Sequence, residues 1–366
     1  MEKNMKVNFE YLKGRVVDTF DNTDTEFINY ELSKLDKPTL VSGIGGSSVV
    51  SDFGAKVLSI KNSIITRNIE PRDMIYMNGE YSNIVACSYG GRNFGVELSF
   101  NNELKKYLLS RNRNEDVVNL QYNTTIDNER SFISLGATLI PVSILINYYM
   151  NGDMSFLDDI EEKKFMFDTE CDVYEIFSGY DTSTTSKYLE STMVESGIGV
   201  PIVHDKYSYC HGRSTMSLNN NNIAIFLNRN TELDRLLLSE ISTYYKSVIV
   251  IDGKYKDMIL DDFQMLVQAM YLTKFIAESK SKDLSKVEYS PLCKTLYKCR
   301  FRDWDLQIYV KVIYLIKKIM KWVMKKSLLV LLTMLVLLTG CNNNKELVNE
   351  NKKEEKIIQK EELLII

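Results

Sequence analysis

Short, continuously apolar runs alternate with helical stretches along most of this chain, and the alternation occurs twice. Thr39–Ser42, 63–68, 83–88 and 117–121 read as strands, with helical pattern over 48–58, 94–109 and 132–150. The order then restarts: 173–178, 200–203, 223–227 and 248–252 read as strands, and 184–196, 231–243 and 262–278 as helices. Strands without polar alternation, separated by helices, must be covered on both faces, which is the arrangement of a parallel doubly wound sheet. The pattern predicts two three-layer α/β/α subdomains, at 36–153 and 154–297, with a helical lead-in over 1–35 and a helical link over 154–167.

After about residue 297 the texture changes. Residues 298–341 are basic, aromatic and then apolar, and 342–366 form a charged low-complexity tail expected to be disordered. Met324-Lys325-Lys326, the uncharged run to Leu338 and Thr339-Gly340-Cys341 have the order of a bacterial lipoprotein signal. It stands far from the N-terminus, and 1–37 shows no signal-peptide pattern. Three readings stay open: a fusion to the start of a second protein, a C-terminal membrane anchor over 323–340, or a buried helix pair. The anchor run is close to the roughly 20 residues that span a bilayer.

Composition narrows the function. Hydrophobic residues are 45% and charged residues 26%, enough apolar material for a large core. Net charge is −4, yet 294–326 alone holds ten Lys/Arg against two Asp, so the main body is acidic. An acidic body argues against nucleic acid, which needs basic patches, but not against a small phosphate ester held by backbone N–H groups. The six cysteines form no CxxC pair, which argues against a zinc ribbon and fits reduced thiols of a cytoplasmic protein.

Two glycine-rich segments sit where a strand leads into a helix. The first is Ser42-Gly43-Ile44-Gly45-Gly46-Ser47-Ser48, the second Cys87-Ser88-Tyr89-Gly90-Gly91-Arg92-Asn93. Glycines admit close approach of an anion, serines add donors, and the helix N-terminus adds a favourable dipole. Neither is a Walker loop, and the first lacks the third glycine of a dinucleotide fingerprint. At the carboxyl ends of parallel strands, two such loops can grip one phosphate from two sides, with Arg92 as an added charge. The plain alternative for each is a tight turn without a ligand.

A third segment, 178–184, follows a strand and caps a helix. Beyond it, both histidines of the chain, His204 and His211, fall within eight positions.

The paired loops resemble those of the SIS (sugar isomerase) superfamily, and the first is similar to the turn of bifunctional phosphoglucose/phosphomannose isomerases. The second departs from the family pattern, with Tyr89 where a serine and Arg92 where a threonine is expected. The resemblance covers about 36–297. It implies a double-SIS fold and phosphosugar contacts from Gly43, Gly45, Gly46, Ser47, Ser48, Ser88, Tyr89, Gly90, Arg92 and Asn93. It further implies that Glu195 moves a proton between adjacent carbons and that His211, sixteen residues on, assists ring opening. Arg130 resembles the arginine that stabilises an enediolate. Glu190 is a rival base, and His204 with Asp205 or Lys206 a rival pair. Neither metal nor cofactor is implied, and a homodimer is expected. The activity is then an aldose–ketose isomerase or aminosugar-phosphate isomerase/deaminase; the alternative is a non-catalytic sugar-phosphate sensor.

Overall fold

In the computed structural model the described residues are 9 and 11–286, apart from 78, 127–132, 166, 168–170 and 216–220. The expected segments at 298–341 and 342–366, and Arg130, lie outside them. The chain divides into two compact units, Met1–Lys298 and Cys299–Ile366, and the first contains all the described residues.

Two helices, α1 (Leu12–Asp21) and α2 (Thr25–Ser33), lead in. The first sheet is built from β1 (Thr39–Ser42), β2 (Thr66–Ile69), β3 (Asn83–Cys87), β4 (Lys105–Ser110) and β5 (Val118–Gln121). Its order is β2-β1-β3-β4-β5, parallel throughout. Helices α3 (Gly46–Lys61), α4 (Phe94–Ser99) and α5 (Leu135–Tyr149) accompany it. The second sheet has β6 (Val173–Ser178), β7 (Val200–Asp205), β8 (Ile223–Asn228) and β9 (Ser247–Asp252) in the order β7-β6-β8-β9, again parallel. Its helices are α6 (Ser183–Ser196), α7 (Glu232–Tyr244) and α8 (Met258–Ser279).

Each sheet is apolar on both faces. Val41, Val85, Tyr107 and Leu109 face the main core, while Leu40, Ile84 and Leu108 fill smaller clusters on the other face. The main core is continuous through both halves: Tyr174, Ile176, Ile225 and Ile251 of the second sheet belong to it. The outer face of the second sheet carries Phe177, Phe226 and Ala224 against Leu237 and Ile241 of α7.

The expected helix over 94–109 is two elements. α4 ends at Ser99, and Asn101-Asn102 turns the chain: Asn102 donates to Ser99 O at 2.7 Å and accepts the Leu104 N–H at 2.9 Å. Asparagine side chains compete with the helix ladder in this way. Lys105–Ser110 then becomes β4, an interior strand missed by reading KKYLLS as helix. The expected helical link over 154–167 contains one 3-10 turn, Ser155–Asp159, and no α-helix among its described residues.

The halves are joined by a buried polar network between α3, α6 and α8. Lys56 is 2% exposed and its ammonium pairs with Asp262 and with Asp52, the latter at 3.4 Å. Asp262 also accepts from the Thr185 N–H at 3.1 Å and its hydroxyl at 2.7 Å. Asp52 accepts from Ser183 at 2.6 Å, Thr184 at 3.1 Å and Lys187 at 2.7 Å. Burial alone would raise the Asp52 pKa, but the ammonium groups of Lys56 and Lys187 pull it down to about 2. Of segment 178–184, singled out in the sequence, Ser183 and Thr184 contribute their hydroxyls to this network.

Candidate functional site

A cleft of about 180 Å³ opens where the first glycine turn, the start of α5 and the end of α6 meet. Its walls include Ile44, Gly46 and Ser47 from the turn, Ser134 and Thr138 from α5, and Tyr188, Ser191, Thr192 and Glu195 from α6.

The turn can be made only with glycine at two places. A Cβ at Gly43 would lie 2.2 Å from the Ser47 carbonyl oxygen, and Gly45 has φ of +60°. The chain folds back at once, with Ser47 N–H donating to Ile44 O at 3.2 Å and Ser48 N–H to Gly45 O at 2.8 Å. Gly45 is the N-cap of α3 and brings no side chain to the helix N-terminus. α5 begins alongside, with Ser134 as N-cap accepting from the Ala137 N–H at 3.3 Å. Two helix N-termini thus reach one cleft, and both favour negative charge there.

Among the described residues, Glu195 is the sole charged side chain on the cleft wall. Its Oε1 lies 3.8 Å from where a Cβ on Gly45 would be, and it accepts a 3.0 Å hydrogen bond from Ser191. Much of the residue faces solvent, yet burial of the carboxyl raises its pKa above the ordinary value, with the Ser191 hydrogen bond opposing the rise. The aliphatic hydroxyls of Ser47, Ser134, Thr138, Ser191 and Thr192 line the same cleft. The arrangement has donors for an anion, hydroxyls for a polyol and one carboxylate able to carry a proton. Ser134, Thr138, Ser191 and Thr192 were missed by sequence reasoning; the one available signal was Ser134, a capping serine before an apolar helix.

The second loop is placed differently. Its neighbour Gly95 is covered by Ile44, since a Cβ there would lie 2.5 Å from Ile44 Cδ1, and Ser42 is hydrogen-bonded to Ser99. Ser88 accepts from the Gly91 N–H at 3.1 Å, and Asn93 caps α4 by accepting from Val96 at 3.0 Å. The Tyr89 hydroxyl accepts from Arg111 at 3.0 Å. Tyr89 and Gly90 line a cleft of about 270 Å³ with Arg111 and Asn112, while Gly91, Arg92 and Asn93 line another of about 390 Å³ with Arg113. The two loops are neighbours, but they open onto different clefts.

The histidines do not join Glu195 within the chain. α6 carries Glu195 from the carboxyl end of β6 back to the amino end of β7, a helix of about 20 Å. His211 follows the far end of β7, exposed, with its N–H donating to Ser208 O at 3.0 Å. The rival groups are also accounted for. His204 is fully buried, with Nε2 2.8 Å from Glu175, whose Oε2 also accepts from Tyr245 at 2.6 Å. Asp205 accepts from Ser208 N–H at 2.8 Å, and Lys206 pairs with Asp234 at 2.6 Å under 3% exposure. Glu190 is exposed and does not line the cleft. Among the described residues no group of three or more His, Cys, Asp or Glu could hold a metal ion. No described helix is long and apolar enough to cross a membrane.

No protein-family model matches the sequence, and no curated protein matches it significantly. Solved structures do match it. A protein described as a phosphosugar isomerase from Clostridium difficile 630 aligns with TM-score 0.62 and 12% identity over 80% of this chain and 98% of its own. Glucosamine-6-phosphate deaminase from Thermotoga maritima aligns with TM-score 0.57 and 14% identity, over 78% and 97%. Tagatose-6-phosphate ketose/aldose isomerase from Escherichia coli aligns with TM-score 0.58 and 11% identity, over 78% and 96%. Over about four fifths of its length, this chain has the two-sheet α/β fold of these phosphosugar isomerase structures.

Proposed function

We propose that the cleft binds a phosphorylated sugar and that Glu195 is the base of an aldose–ketose type proton transfer. The observation that carries this is a lone carboxylate, its pKa raised by burial, standing over a glycine turn at two helix N-termini. The positive ends of the α3 and α5 dipoles would face the phosphate, and the hydroxyls of Ser47, Ser134, Thr138 and Thr192 would meet the sugar. Isomerisation takes a proton from one carbon and returns it to its neighbour. A single carboxylate can do both, and a raised pKa brings it closer to the working pH.

The fold neighbours support the substrate class, since their names include a deaminase of glucosamine 6-phosphate and an isomerase of tagatose 6-phosphate. A second α/β copy in a homodimer would be the source of an acid to partner Glu195, because His211 lies at the other end of β7. The test is incubation with hexose and hexosamine 6-phosphates, following interconversion and ammonia release, with Glu195→Gln as the control. Turnover that disappears in Glu195→Gln while the ligand still binds is the expected result. Absence of turnover across the whole set would sink the catalytic reading.

The position of His211 favours a second reading, a sugar-phosphate sensor that binds without turnover. In that case ligands raise the unfolding temperature in wild type and Glu195→Gln alike, and none is converted.

A further inference from the structure

Glu195 is the base in the reading above, and the inference here rests on that reading. A carboxylate that moves a proton between two carbons must be held still, because its oxygen has to reach both. On an exposed helix end it would rotate freely, so something has to fix it. Among the described residues, the cleft wall offers no cation to do this. Its side chains from the turn at 44–49, from 133–138 and from α6 include no lysine, arginine or histidine. The other titratable group there is Tyr188, whose hydroxyl is hydrogen-bonded to Thr273 at 3.2 Å.

One turn before Glu195 on α6, Ser191 stands on the same face. Its hydroxyl donates to Glu195 Oε1 at 3.0 Å, and it lines the same cleft. The bonded oxygen is the one that stands over Gly45. Oε2 has no hydrogen-bond partner among the described residues.

We propose that Ser191 is the positioning residue of Glu195, fixing Oε1 above the glycine turn and leaving Oε2 for the substrate carbon. Two consequences follow from the single hydrogen bond. It selects one orientation of the carboxylate, and it favours the ionised form, which can accept hydrogen bonds from two sides.

The experiment uses the full-length chain with Ser191→Ala, Ser191→Thr and wild type. The Glu195 carboxyl is titrated by carbon NMR, and the pH profile of kcat is measured with whichever hexose phosphate the wild type converts. In Ser191→Ala the Glu195 titration moves to higher pH, the acid limb of the kcat profile moves with it, and kcat falls while KM stays close to wild type. Ser191→Thr keeps the hydroxyl and restores both. Equal unfolding temperatures for the three proteins exclude a merely structural effect. A Glu195 titration that coincides in wild type and Ser191→Ala overturns the proposal, and so does a Ser191→Thr protein that behaves as Ser191→Ala. If no phosphosugar is converted but the titration moves as described, the Ser191 contact stands and the catalytic reading falls.

Discussion

The two α/β halves share a parallel architecture and differ in what stands at the carboxyl ends of their strands. In the first half, the end of β1 is a glycine turn that opens onto the Glu195 cleft. In the second half the corresponding ends are filled by the chain itself. After β6, Ser178 hydrogen-bonds Thr182 and Ser186, each at 3.0 Å. After β8, the Asp234 carboxylate accepts from the Lys206 ammonium at 2.6 Å and the Arg229 N–H at 2.9 Å. After β9, Asp261 accepts from Tyr255 N–H and from Arg229, both at 2.9 Å. Groups of the chain itself take up these donors after β6, β8 and β9, whereas the end of β1 opens onto the cleft proposed for the ligand. The second half still contributes, because α6 crosses from it and delivers Glu195 to the first half.

The largest test of this division is Asp262→Ala. It takes the nearer carboxylate from the buried Lys56 ammonium, which keeps only Asp52 at 3.4 Å as an acidic partner, and it removes the acceptor of Thr185. The expected loss is about 3–5 kcal/mol of unfolding free energy in urea, as for other buried pairs broken on one side. A loss below about 1 kcal/mol, the level of a surface pair, would show that the network does not join the halves.

Next is Gly43→Ala against Gly90→Ala. The first places a methyl on the Ser47 carbonyl, while the second meets nothing within 4 Å. Gly43→Ala should cost about 3 kcal/mol and abolish phosphosugar binding by calorimetry, and Gly90→Ala should stay within about 0.5 kcal/mol. Equal behaviour would remove the contrast between the loops.

Acid should loosen the network between the halves through Asp52. Its folded pKa is lowered to about 2 from 3.8, so the stability it gives is complete above about pH 4 and is lost as pH falls towards 2. The shift corresponds to roughly 2 kcal/mol. Asp52→Asn should flatten the slope of stability against pH in that window, measured by heat unfolding at several pH values.

The smallest effect is expected at the cleft. The Glu195 pKa is raised, so the folded state holds this proton more tightly than the unfolded state. Ionising Glu195 above its folded pKa therefore weakens folding slightly, and the penalty disappears as pH falls below the ordinary carboxylate value. Glu195→Gln should melt a little higher than wild type at pH 7 and alike near pH 4. A lower melting temperature at pH 7 would mean that the carboxylate is a structural partner.

Most of the fold was legible because its strands are buried on both faces, and continuous apolar runs such as NIVAC or VYEIFS leave little choice. β4 was not, since Lys105-Lys106-Tyr107 has no alternation and the break at Asn101-Asn102 lies inside a stretch of helical period. The glycine turn was also legible, because Gly43 and Gly45 hold positions that a Cβ would block or strain. The spacing of Glu195 and His211 could not tell whether they meet. The sixteen residues run from the last turn of α6 along the whole of β7 and past its far end, so the topology sets the two groups at opposite ends of β7.

The sequence by itself determined two parallel α/β layers and a strand-to-helix turn built for close backbone approach, because periodicity and glycine chemistry are local. Only the tertiary structure decided that Glu195, about 150 positions after the turn, stands over Gly45 with Ser191 beside it. It also decided that His204 is spent in the core on Glu175. Those pairings depend on how α3, α5, α6 and α8 pack around one shared core, and packing across such separations leaves no periodic trace in the chain.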